Sequence, residues 1–161
     1  MKQSISLKLK MSEIIFDVQN KTYLTGRSLE TGEKHLHVEN MQANDDDENA
    51  AQVLRSITMA ASVLRNRLSE FMNAPATLAT NESMTEDDDI VFTLAMPSNF
   101  NTSVAQTLGE AAHQFIVATA ITDWFSITAK GETADYTAAA ATSLKVVEEA
   151  LCKRSRPVRP E

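Results

Sequence analysis

Few groups of residues in this 161-residue chain have the types and spacing of a reactive site. His35 and His37 flank Leu36, with Glu33 and Glu39 nearby. On an extended segment alternate side chains share a side, so two imidazoles placed this way can approach one transition-metal ion. Two histidines fall short of a complete ligand set, and a solvated polar loop accounts for them as well. The runs Asp45, Asp46, Asp47, Glu48 and Glu86, Asp87, Asp88, Asp89 offer carboxylate oxygen to calcium or magnesium. Neither has the alternating ligands and glycine of an EF-hand loop, and the first stands where the positive end of a helix attracts acids. His113 lies in an apolar stretch with no nucleophile marked for it to activate, and reads as a structural histidine. Cys152 is the only cysteine and reads as an ordinary helix-end residue.

Motifs of larger reach are missing: no glycine loop for phosphate, no dinucleotide fingerprint, no Gly-x-Ser-x-Gly elbow and no His-Glu-x-x-His pair. The expectation is a protein that is not an enzyme, with no catalytic residue, no cofactor and no metal. The group singled out for binding is the closing segment, where Arg154, Arg156, Pro157, Arg159 and Pro160 combine charge with proline stiffness. Such a segment stays extended and can enter a groove on a partner at low ordering cost.

Charge separates this segment from the rest. The chain carries −7 overall, while Lys153 to Glu161 hold four cations against one acid, which leaves the preceding residues near −10. An acidic body repels phosphate backbones, so sequence-specific nucleic acid is not expected as a partner. One cysteine permits no internal disulfide, residues 1 to 20 lack the apolar run of a signal peptide, and no stretch is apolar for long enough to span a bilayer. These features point to the cytoplasm and away from membranes.

The elements that must position these groups follow from periodicity. Ile5, Leu7 and Leu9 alternate with polar residues, as do Ile90, Phe92, Leu94 and Met96 before Pro97, Ser98 and Asn99, and two short strands that pair are expected. Residues 13 to 25 admit two readings. Ser12 as cap, Gly26 as terminator and Ile14, Ile15, Val18 and Leu24 as core suit a helix, whereas the alternation Ile14, Phe16, Val18 suits a strand. Thr25 to Asn44 and residues 74 to 89 read as loops. Val53, Leu54, Ile57, Ala60, Ala61, Leu64, Leu68, Phe71 and Met72 recur at three and four residues, predicting a helix of about seven turns before Pro75. A central helix is expected from a cap at Asn101 or Thr102 to about Thr128, then a short connection at Lys130 and Gly131. A last helix carries Tyr136, Ala140, Leu144, Val147 and Leu151. The fold class is mainly α (α+β), three to four helices with two short strands: one α-rich domain over 1–152, followed by an extended basic tail over 153–161.

Asp17-Val18-Gln19-Asn20-Lys21-Thr22-Tyr23-Leu24-Thr25-Gly26-Arg27-Ser28, Trp124 to Lys130 and Lys153 to Pro160 resemble segments of small virion-region proteins of phages and prophages. Proteins of this size in such gene clusters include head-tail connector, or neck, proteins that assemble as rings between portal and tail. The resemblance implies a structural role, a homo-oligomer, partners among portal, tail or capsid proteins, and residence in the host cytoplasm during assembly and then in the virion. The alternative reading is a small cytoplasmic regulatory or adaptor module that binds a partner through its basic C-terminal tail.

Overall fold

The computed structural model describes residues 2–28, 42–44, 46–72 and 79–160. Strand β1 spans Gln3–Leu9 and pairs antiparallel with β2, Ile90–Met96, in the register Gln3↔Met96 to Leu9↔Ile90. Period two puts Leu7 and Leu9 with Ile90, Phe92, Leu94 and Met96 on one buried face, while Ser4, Ser6, Lys8, Val91 and Thr93 stay exposed on the other. The expected strands and their pairing are present.

Helix α1 runs Met11–Ser28, one residue after β1 ends. This resolves the ambiguity at residues 13 to 25 in favour of helix. Met11, Ile14, Val18 and Thr22 are buried at helical spacing, and Phe16, whose alternation suggested a strand, points out to solvent. Ser12 is not the cap. The Met11 N–H donates to Asp89 Oδ1 at 3.1 Å, so a carboxylate 78 positions away closes the helix start, where negative charge is favoured. Nor does Gly26 end the helix: it is buried within the last turn, and Thr25 to Ser28 are helical, not loop. Thr22 holds the chain that returns from this helix. Its buried hydroxyl donates to the Val18 carbonyl at 2.8 Å and accepts from the buried Ala43 N–H at 3.1 Å.

Helix α2, Asp47–Leu68, has 22 residues, about six turns where about seven are expected. A 3-10 turn at Ser69–Phe71 tightens its end, and Met72 leaves it to bridge Leu94 of β2. Val53, Ile57, Ala60, Ala61, Leu64 and Leu68 form its buried stripe. Pro75 lies outside the described residues.

Asn101 caps the next element as expected, its side chain accepting from the Ser103 N–H. After the 3-10 turn Thr102–Val104 comes helix α3, Ala105–Thr128, which packs against α1, α2, β1 and the last helix. That position explains why its apolar residues occupy more than one face: Leu108, Ala112, Ile116, Val117, Ile121 and Phe125 are all fully buried. A 3-10 connection, Lys130–Glu132, leads to α4, Thr133–Leu151. The two helices are antiparallel. Phe125 and Tyr136 meet at one end with ring centroids 5.6 Å apart and planes tilted by 54°, and the Asn101 N–H reaches the Lys153 carbonyl at 3.1 Å at the other. The described residues thus form a mostly helical α+β fold of four helices and one two-stranded sheet around a single apolar cluster.

Candidate functional site

The closing segment is not free from its start. Arg154 bridges Phe100, the Ser155 N–H donates to the Asn99 carbonyl at 2.7 Å, and with the Asn101 to Lys153 bond these contacts strap residues 153–155 antiparallel to residues 99–101. The Arg154 guanidinium turns back to the Leu151 and Lys153 carbonyls at 2.8 and 3.0 Å, where a cation complements the negative end of α4. Of the five residues selected from sequence, Arg154 is therefore engaged within its own chain, while Arg156, Pro157, Arg159 and Pro160 stand exposed in an arm outside helix and strand. Val158 between them is 92% exposed.

A groove of about 720 Å³ lies on the opposite side of β1 from β2. Consecutive residues Ile5 to Lys10, from both faces of β1, form one wall, and among the described residues no part of β2 contributes. The groove therefore follows the unpaired edge of β1, where alternate N–H and C=O groups have no sheet partner. Glu13 and Asp17 of α1 and Gln106, Gly109, Glu110 and His113 of α3 form the other wall. A Cβ built on Gly109 meets nothing within 4 Å, so the missing side chain leaves open space.

Within this wall His113 Nε2 and Asp17 Oδ2 are 2.6 Å apart, with side chains 15% and 29% exposed. A carboxylate that orients an imidazole is half of a base-catalytic arrangement, yet no described hydroxyl or thiol is hydrogen-bonded to His113 to complete it. The pair belongs to a polar seam. Asp17, Lys21 and Thr25, four residues apart on α1, meet His113, Gln114 at 3.1 Å and Tyr136 at 2.6 Å. These bonds tie α1 to α3 and α4 and keep the groove wall in place.

The other sequence candidates are dispersed. His35 and His37 lie outside the described residues, as does Asp45. Asp47 and Glu48 occupy the first turn of α2. In the second acidic run Asp88 Oδ2 accepts from the Thr85 N–H and hydroxyl, and Asp89 serves Met11 and lies 3.7 Å from Lys8 Nζ. These carboxylates thus have internal partners. Among the described residues no three His, Cys, Asp or Glu side chains gather to hold a metal. Cys152 is exposed in the turn that follows α4.

No family model, curated protein or solved structure matches this chain. Function must therefore be argued from the arm and the groove. Sequence reasoning located the arm and missed the groove, whose walls come from three separate elements; an unexplained glycine inside an apolar helix, Gly109, was the one local sign of it.

Proposed function

We propose that this chain is a non-enzymatic assembly protein of a phage virion, a head-tail connector or neck protein that works as a homo-oligomer against portal, tail or capsid proteins. The exposed arm at Arg156–Pro160 supports this most. It is held at its root by backbone pairing, stiffened by two prolines, and contributes nothing to its own core. Its cations face a body near −10, so unlike parts of neighbouring copies attract. Phe16, Leu24, Met59 and Ile127 add large exposed apolar side chains on α1, α2 and α3, the material of further protein contacts. No helix among the described residues is long and apolar enough to cross a membrane.

Native mass spectrometry over a concentration series, alone and with portal or tail proteins, tests this. The expected result is a closed oligomer, or a complex with one of these partners. A chain that stays monomeric at high concentration and never accompanies particles removes the virion reading. Salt-sensitive binding of the arm to an acidic cytoplasmic protein would instead support an adaptor.

A further inference from the structure

The geometry points to the groove beside β1 as the receptor for the Arg156–Pro160 arm of a second copy, which adds to β1 as a third strand. This rests on the assembly reading above and names the contact that would build the oligomer.

Backbone geometry is the first ground. An unpaired strand edge bonds an extended peptide whatever its side chains, provided that the inward-facing residues carry N–H groups. In the arm Arg156 and Val158 share one parity and Pro157 the other. With Arg156 and Val158 facing β1, Pro157 directs its missing donor outward, where an edge strand tolerates proline. Pro160 returns to the inward parity and ends the pairing.

Side chains agree with that register. Arg156 and Val158 then also share a sheet face, so Val158 covers the space left open by Gly109 while Arg156 lies among Glu13, Asp17 and Glu110. The groove lining sets three carboxylates, Glu13, Asp17 and Glu110, against Lys8 and Lys10, and Lys8 lies 3.7 Å from Asp89, which leaves a net acidic receptor for a basic strand.

Exposure selects a second copy over the arm's own groove. Residues 153–155 are held against residues 99–101, and beyond them Arg156–Pro160 are exposed, Val158 at 92%, so the arm lies outside the groove of its own copy. A contact from the arm of one copy to the groove of the next is head-to-tail, which closes into a ring or extends as a filament.

The test uses a fluorescent peptide of residues 153–161 titrated into the chain truncated after Ser155. Saturable binding is expected, weakened at least about tenfold by Gly109→Phe. The Gly109→Phe side chain enters open groove, so its melting temperature should stay near wild type. Should that variant not fold, the exposed pair Glu13→Lys and Glu110→Lys supplies the same weakening by charge. Mixing the truncated chain with full-length Gly109→Phe should give a 1:1 dimer that grows no further, since one partner lacks the arm and the other the groove. Oligomers of the full chain without peptide binding would overturn this receptor and leave the assembly reading standing. A monomeric full chain that binds peptide as well as the truncated chain does would show that the groove takes the free peptide but not a second copy's arm, overturning this contact together with the assembly reading. Peptide binding to the truncated chain but not to a monomeric full chain would mean that the arm fills its own groove, overturning the second copy.

Discussion

Truncating the chain at two points two residues apart should separate the strap from the arm. Stopping after Ser155 removes Glu161 and the exposed residues Arg156–Pro160, which have no described hydrogen bond into the body, so stability should change by less than about 0.5 kcal/mol. Stopping after Lys153 also removes the 2.7 Å bond from Ser155 to Asn99 and the Arg154 contacts to the Leu151 and Lys153 carbonyls. Partly exposed hydrogen bonds contribute about 0.5–1.5 kcal/mol each. A cation at a helix C-terminus adds about 0.3–1 kcal/mol. At the low end of these ranges the loss is about 2 kcal/mol, and a domain of this size should melt at least about 4–8 °C lower. Thermal unfolding of the three chains by circular dichroism, in one buffer, measures this. The full chain and the Ser155 truncation should melt together, with the Lys153 truncation below both. Equal melting of all three would show that the strap carries no stability. An equally large loss in the Ser155 truncation would show that the arm belongs to the fold and is not available to a partner.

Substitutions at five sites probe the same architecture. Leu64→Asp and Phe115→Asp each place a carboxylate at a buried site and should destabilise by more than about 3 kcal/mol in urea titrations, whereas Arg67→Ala, which breaks only a half-exposed pair with Glu148, should change less than about 1 kcal/mol. Thr22→Val keeps the shape but leaves the buried Ala43 N–H without its acceptor, costing about 1–3 kcal/mol, while Thr22→Ser should retain most of the stability. Accelerated hydrogen exchange at the Ala43 amide in Thr22→Val alone would bear this out. Gly109→Ala should raise stability by about 0.5–1 kcal/mol, because the helix interior disfavours glycine and the added methyl meets empty space; a fall in melting temperature would mean that the groove is narrower than described.

Local periodicity was sufficient where each element buries one face against the rest. Ile5 to Leu9 and Ile90 to Met96 alternate because one sheet face is covered, and the Val53 to Leu68 stripe recurs at helical spacing because one side of α2 is. Misreading began where a distant residue decides a local outcome. Ser12 looks like the cap of α1, yet Asp89 supplies it from the loop before β2. Phe16 imitates a strand when read with Ile14 and Val18, and the burial of Met11 and Thr22 at helical spacing from them, with Thr22 accepting from the Ala43 N–H, shows which period is in force. Proline and arginine advertise the arm in a single stretch of sequence. The groove is instead a relation between a strand edge and two helices, and no spacing of residue types along the chain encodes such a relation.

Arm and groove are both fixed to the same helix. The strap pairs with residues 99–101 at the base of α3, and Gly109 and His113 lie within the next twelve residues of that rigid element. From Ala105, where α3 begins, to Gly109 the rise is about 6 Å at about 1.5 Å per residue, and the 3-10 turn Thr102–Val104 joins that start to the strapped residues, so the spacing runs through continuous helical turns. The seam of Asp17, Lys21 and Thr25 holds α1 against this same helix, so the acidic wall moves with it. A donor and an acceptor held on one rigid rod repeat the same rotation at each added copy, as a head-to-tail ring requires. Two prolines limit how far the arm can deviate between copies. Lengthening the arm with a flexible Gly-Ser insert after Ser155 should therefore preserve peptide-level affinity while broadening the distribution of oligomer sizes seen by native mass spectrometry. A distribution as narrow as that of the unmodified chain would show that other surfaces set the rotation.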